Sequence, residues 1–564
     1  MRYGGCRLSE RKPTLTSCLY QSFSSRLCPT PPSFRNHDPP TPPPRRAFTQ
    51  ASSRPTQSSP SLPARTWSTP LAKTIAQAIE VTGPISIASY MRQCLTNPDG
   101  GYYTKRLPTS SDADQFGSAG DFITSPEISQ IFGELVGIWF MTEWMAQGRP
   151  SAGVQFIEMG PGRGTLMSDV LRTIGQFKTF ANAISAVWLV EAGDGLRKRQ
   201  KDLLCGETAA LNEVRDPSGK NVWFEATGKQ GIPVRWVEDI ALLPGRGEDE
   251  GKTAHATVPF IIAHEFFDAL PIHAFESVAP KPEEAERDTK AQLLTEAELR
   301  RQRSSMASKL PQWRELLVAS TTPNLTAMLS RDGEKSSGHK EPDPEFQLTL
   351  AKASTPSSLV IAERPRYRAL KSQVSSRVEV SPESSRYVMD FARRIGGDSQ
   401  PSTPSSVSKS IPAGAALIID YGPLDTVPVN SLRAIRKHKV ISPFVYAGDA
   451  DISADVDFAA LAEPALEASP GVEVHGPVEQ GMWLTQLGIK ERAERLMKEL
   501  AAQKSSESAD SQEIEKRKTD LETGWKRLVE GGPKGMGKAY KVMAIVPENG
   551  GKRRPVGFGG HVVG

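Results

Sequence analysis

No stretch of this 564-residue chain approaches the roughly 18 consecutive apolar residues required of a membrane-spanning helix, so no transmembrane segment is expected. Cysteine is scarce. Of five, Cys6, Cys18 and Cys28 fall in an N-terminal segment of separate character, leaving Cys94 and Cys205 without a C-x-x-C spacing or clustered histidine. Neither a disulfide framework nor a zinc site has its ligands. GDADISADVDF (448–458) is acidic but lacks the spacing and terminal Glu of an EF-hand, so no metal is expected there either. Acids are nearly missing from residues 1–65, where ten Lys/Arg face only Glu10 and Asp38. That segment's +8, taken from a whole-chain charge of +4, leaves −4 for the remainder, a balance that does not call for nucleic acid. Residues 1–65 are rich in Arg, Ser, Thr and Pro and have no secretory-type apolar core. This is the composition of a cleaved mitochondrial transit peptide, with an unstructured Pro/Ser tail as the alternative.

What the chain does contain is concentrated at VQFIEMGPGRGTLM (154–167). Val154, Phe156 and Ile157 form a short apolar run ending in Glu158, followed by Gly160, Gly162 and Gly164 at alternate positions. From Thr165 the period turns helical, with Leu166, Val170, Leu171 and Ile174 on one face. Strand, glycine turn and helix make the first half of a nucleotide-binding βαβ unit. Glycine admits positive φ and close backbone approach, and the helix N-terminus behind it offers free N–H groups. A plain strand-to-helix connection would read the same way. The second run, AVWLV, ends in Glu191, 27 residues beyond Gly164, where an acid suits a pair of ribose hydroxyls. The G-x-G-x-G spacing, with an acid two residues before it, resembles motif I of the S-adenosyl-L-methionine-dependent methyltransferases. That resemblance puts Glu158 at the methionine end of the cofactor and Glu191 at the ribose.

Further runs continue the pattern. VRWVEDI (234–240) is a third strand candidate ending in Glu238-Asp239, which places Asp239 with the cofactor-binding set. PFIIA (259–263) is a bare apolar run, as expected of a parallel strand covered on both faces, and leads into His264-Glu265-Phe266-Phe267-Asp268. AALIIDYG (415–422) is the fifth strand, ending in Asp420, and AYKVMAIVP (539–547) a final one. Upstream, 71–95 reads as two helices. Ser125 and Pro126 open a further, apolar helix whose entrance carries Asp121, Thr124 and Glu127 as site-lining candidates. SLVIAERP (358–365) reads as a strand, and within 377–397 Ser381 or Pro382 opens an amphipathic helix closed by Gly396-Gly397. The expected organisation is a leader over 1–65, an N-terminal helical region over 66–150, and an α/β domain in two halves, 151–279 and 413–548. A partly disordered insertion, 280–412, separates strands 4 and 5, and a disordered tail covers 549–564.

Taken together, YMRQCLTNPDGGYY (90–103), GDFITSPEISQIFGEL (120–135), IEMGPGRGTLMSDVLR (157–172), HEFFDALPIHAF (264–275), WRELLV (313–318), LIIDYG (417–422) and GPVEQGMWLTQLGI (476–489) resemble the MidA-like protein arginine methyltransferases, the mitochondrial complex I assembly factors. The resemblance implies a class I, Rossmann-like methyltransferase fold and S-adenosyl-L-methionine as cofactor. It also implies symmetric dimethylation of an arginine on a core subunit of complex I, in the mitochondrial matrix. Oligomeric state is not specified.

A guanidinium stays protonated at physiological pH and is best received by carboxylates, which accept its planar fork. Ligands on open α/β sheets bind at the carboxyl ends of strands, so Glu265 and Asp268 are the candidates for clamp and proton acceptor. His264, Glu379, Glu383 and Asp420 are candidates to line or supplement the site. Glu265 as a helix N-terminal acid, and Asp268 as a helix cap, are the structural alternatives. A catalytically idle scaffold and a small-molecule methyltransferase are the competing functions. Retained glycines and strand-end acids favour cofactor binding, and the long insertion favours a macromolecular substrate.

Overall fold

The computed structural model describes residues 66–104, 121, 123–215, 222–244, 257–280, 310–321, 343–397, 411–503 and 511–559. The expected leader, 1–65, lies outside them, as does the charged stretch 281–309.

Nine strands build the central sheet: β1 (Val154–Met159), β2 (Ile184–Val190), β3 (Asn212–Arg215), β4 (Val222–Thr227), β5 (Pro233–Val237), β6 (Val258–His264), β7 (Ala415–Tyr421), β8 (Val472–Glu479) and β9 (Tyr540–Pro547). Their spatial order is 8-9-7-6-1-2-5-4-3. β1 pairs in parallel with β2 on one side and β6 on the other; β2–β5 and β6–β7 are also parallel. β9 runs antiparallel to both β7 and β8. The five strands at the centre are those expected from the apolar runs. β6 is buried at every residue because helices cover both faces. Phe156 and Phe260 join a core with the helices Gln130–Ala146 and Thr165–Ile174. Their neighbours Ile157 and Ile261 point the other way, to Val388 and Phe391 of the helix Pro382–Gly396. The direction of winding reverses at β1, and the crevice for a ligand opens there. These features are those of the class I methyltransferase fold.

A second sheet, in the order 85–86, 312–320, 273–278, 377–380, gathers strands from the N-terminal region, from the end of the first α/β half and from the insertion, and 346–350 pairs with 312–320 as well. The stretch 280–412 thus carries ordered structure that completes a separate core around Phe275, Trp313 and Val378. The expected N-terminal helical region divides. Pro70–Thr82 and Ile87–Thr96 pack with Leu316, Val318 and Ile452, whereas Gln130–Ala146 belongs to the central sheet.

Three local expectations are corrected. The run SLVIAERP is helical at Pro356–Val360, because Pro356 occupies the first turn and Thr355 and Ser358 close a reciprocal capping box. Leu359 and Val360 are left largely exposed. The helix expected from Ser125 is interrupted: Ser125–Ile128 is a single turn, and an extended Ser129 caps the long helix starting at Gln130. The tail is ordered at least to Gly559. Arg553 makes a bidentate pair with the fully buried Glu143 at 2.8 and 2.6 Å, and Trp139 donates to Val556 O at 3.0 Å. A carboxylate inside an apolar helix needs such a cation, which holds the tail in place.

Candidate active site

At the carboxyl ends of β1, β2, β5 and β6 lies a cavity of ≈ 390 Å³. Its floor is the glycine turn. Gly160, Gly162 and Gly164 have φ of 57°, 54° and 85°, and Gly164 caps the following helix in the left-handed conformation. A Cβ at Gly160 would sit 3.1 Å from the Phe266 ring. Glu158, at the end of β1, is 3% exposed, and its Oε2 has no hydrogen-bond partner among the described residues. Burial pushes its carboxyl up to about 8. Glu191 follows β2, with Oε1 accepting the Gly193 N–H at 2.7 Å and Oε2 accepting the Gln200 amide at 3.0 Å. Burial raises it to about 7 against the pull of those donors and of Arg197.

Gln200 is not among the residues singled out in the sequence, yet it ties the site together. Its amide nitrogen also donates to Gly162 O at 2.7 Å, and its oxygen accepts the Trp236 indole N–H at 3.0 Å. One fully buried side chain therefore fixes the turn, the strand-end acid and β5. Gln200→Leu would strand three buried polar groups, each costing about 1–3 kcal/mol, so a stability loss of at least about 3 kcal/mol is expected in chemical denaturation. A loss below about 1 kcal/mol would refute this role.

Opposite the turn stands the loop after β6. Glu265 has φ 50°, an uncommon value for a residue with a side chain, and its N–H is held by Ile419 O at 3.0 Å. Tyr540 donates to Glu265 Oε1 at 2.8 Å, and a backbone hydrogen bond from Ser125 reaches the same carboxyl. Burial, reinforced by Asp268 and Asp451, pushes Glu265 up to about 8. Burial also raises Asp268 to about 6, opposed by Arg433, and Asp451 to about 7. His264 lies 8% exposed against the Phe132 and Tyr540 rings. Burial lowers its imidazole to about 3, and Nε2 has no hydrogen-bond partner at 3.5 Å from Glu265 Oε1. Burial raises every one of these wall acids, and a cation in the cavity would favour their ionised forms.

Of the residues singled out in the sequence, Glu158, Gly160, Gly162, Glu191, Asp239, Thr124, Glu127, His264, Glu265, Asp268 and Glu383 line this one cavity. Glu383 pairs with Arg92, and Glu127 with Arg163 at 3.3 Å. Four others are engaged elsewhere. Gly164 packs on Gln200 behind the turn. Asp121 accepts from the Tyr102 hydroxyl at 2.9 Å and the Lys437 N–H at 2.8 Å. Glu379 holds the Ser431 N–H at 3.1 Å in another part of the fold. Asp420 is fully buried and accepts the N–H groups of Phe266, Phe267 and Asp268 at 3.1, 2.8 and 3.3 Å, so it shapes the loop after β6 from behind. Besides Gln200, the sequence pattern does not mark Tyr540, Asp451 or Tyr103. Tyr103 donates to Asp451 Oδ1 at 2.7 Å, and both line the cavity. For Asp451 the only signal is its place in an acidic stretch; the tyrosines carry none.

Comparison with known proteins agrees with this fold. A family described as S-adenosyl-L-methionine-dependent methyltransferases matches residues 135–478. The mitochondrial protein arginine methyltransferase NDUFAF7 homolog of Drosophila melanogaster is 33% identical over 477 residues, covering 85% of each chain. Its Homo sapiens counterpart is 32% identical over 487 residues, covering 86% of this chain and 85% of that one. Among solved structures, a Burkholderia thailandensis methyl transfer protein bound to S-adenosyl-homocysteine gives a TM-score of 0.53 at 19% identity, over 87% of this chain and 92% of its own, a likeness of fold.

Proposed function

The chain belongs to the S-adenosyl-L-methionine-dependent methyltransferase family whose curated relatives include the mitochondrial protein arginine methyltransferases, and from that premise we propose that it methylates a protein arginine in the mitochondrial matrix. The substrate we assign is a core subunit of complex I and the product symmetric dimethylarginine, as the family resemblance implies. One observation carries the proposal: the glycine turn with its strand-end acids, and the buried Glu265 carboxyl, share a single cavity.

The residues fit the cofactor. Glu158 Oε2 is a buried acceptor lacking a donor, suited to an ammonium, and Glu191 offers its remaining lone pairs to hydroxyls. Gly162 lines the cavity at a φ of 54°, which glycine adopts readily. When bound, S-adenosyl-L-methionine supplies an electrophilic methyl group. Glu265 would receive guanidinium N–H groups, orient the target nitrogen and take the proton that nitrogen sheds. Asp268 and Asp451 extend the acidic wall. Much of the gain is positional, since the reacting atoms must lie in line.

The test is methyl transfer from labelled S-adenosyl-L-methionine into mitochondrial protein from cells lacking this gene. Label is expected in an arginine of a complex I core subunit, recovered as symmetric dimethylarginine after hydrolysis. Label that appears only in small molecules, or not at all, would overturn the proposal.

A further inference from the structure

Tyr421 and Tyr540 face each other across the antiparallel pair β7–β9 at the end of the sheet beside the cavity. Their rings lie 4.1 Å apart between centroids, and their hydroxyls are in hydrogen-bond contact. A phenol carries one proton. Either hydroxyl can donate in that contact, but Tyr540 reaches both Tyr421 and Glu265 Oε1, the latter at 2.8 Å; when its one proton goes to the carboxylate, Tyr421 must be the donor to Tyr540. The result is a directed chain, Tyr421 O–H to Tyr540 O–H to carboxylate. The Arg433 guanidinium lies 5.3 Å from the Tyr421 ring centroid and favours polarisation of that hydroxyl toward the chain.

We propose that Tyr540 is a positioning residue for Glu265, and that Tyr421 strengthens it from behind. The proposal rests on Glu265 being the acceptor for the target guanidinium. A carboxylate has about four lone-pair sites. Tyr540 and the Ser125 N–H occupy two of them from different elements, which fixes the plane of the group and leaves the remainder for substrate. The chain also sets when the group is charged. Glu265 faces the Asp268, Asp451 and Asp420 carboxyls and the neutral His264 imidazole, with Arg433 beyond Tyr421. Among so many acids, donors to Glu265 are what favour its ionised form. Removing one makes the carboxyl hold its proton to higher pH.

Two variants of the full chain test this, Tyr540→Phe and Tyr421→Phe. The first readout needs no substrate: the infrared signal of the protonated Glu265 carboxyl, isolated as the difference from Glu265→Gln and followed with pH. Its midpoint should move upward in both variants, by more in Tyr540→Phe. The second is the pH profile of kcat/KM for methyl transfer. Tyr540→Phe should fall about 10-fold near neutral pH for a midpoint shift of about one unit, and recover at higher pH, with the KM for cofactor unchanged. Should Tyr540→Phe fold poorly, Tyr421→Phe keeps the direct hydrogen bond to Glu265 and still must shift the midpoint. An infrared midpoint unmoved in the folded variants overturns the hydroxyl chain, whether or not methyl is transferred. Absence of transfer by the unaltered protein counts instead against the proposed activity.

Discussion

Glu265→Gln is expected to reduce methyl transfer by at least ~100-fold, the scale of losing a proton-accepting group, while the protein accumulates and binds cofactor normally. The substitution keeps size and shape. The main chain at this position is held at φ 50° by Ile419 and by the Asp420 carboxylate cradling the next three N–H groups, none of which depends on the side chain. What changes is the chemistry. Gln keeps one acceptor for Tyr540 and the Ser125 N–H but turns an NH₂ toward a guanidinium that offers only donors. The pH profile gives a second measure. Because burial holds the free carboxyl at about 8, kcat/KM of the unaltered enzyme should climb with pH and level off above that value. With a guanidinium bound, the carboxylate is favoured, so the limb in kcat should lie at lower pH. Glu265→Gln should abolish both limbs. In cells, an enzymatic role requires complex I assembly to fail although the variant is abundant. Normal abundance, normal cofactor binding, no methyl transfer and full complex I together would show that methylation is not the function.

The second large effect is at the turn. Gly162→Val should abolish measurable S-adenosyl-L-methionine binding in calorimetry. Left-handed backbone costs an ordinary residue about 1–2 kcal/mol, a β-branched side chain tolerates φ of 54° worse still, and the residue is part of the cavity wall. Gly206→Val separates strain from occupancy. Gly206 also has positive φ, 101°, but a Cβ there would meet nothing within 4 Å, and the residue is not part of the cavity wall. That variant should lose stability but not affinity. If Gly162→Val folded and bound cofactor as tightly as the unaltered chain, the turn would be a strand-to-helix connection and no more.

Much of this architecture could be read from local pattern. Uninterrupted apolar runs at 259–263 and 415–419 announced strands covered on both faces, because only a parallel sheet between helix layers buries every residue of a strand. Alternate glycines after one such run, and acids closing the others, located the ligand crevice, since strand ends of this kind converge at the reversal of sheet order. Where local rules competed, the stronger local force decided: a capping box and Pro356 overrode the apolar run at 359–361.

Tertiary structure alone decided which polar groups meet. Tyr540 lies 275 residues from Glu265 in sequence, and Arg553 lies 410 from Glu143. Hydrophobic period reports which face of an element is buried, but not which neighbour that face will find. Strand order supplies the neighbour, by placing β9 beside β7 and Tyr540 beside the loop after β6. The same ordering engaged Asp420 with the backbone and Glu379 with Ser431, and brought Asp451, from an acidic stretch without a metal spacing, into the cavity wall. An acid at a strand end is therefore a property of the sequence. Whether it faces substrate or its own backbone is settled by the hydrogen-bond donors that folding brings within reach.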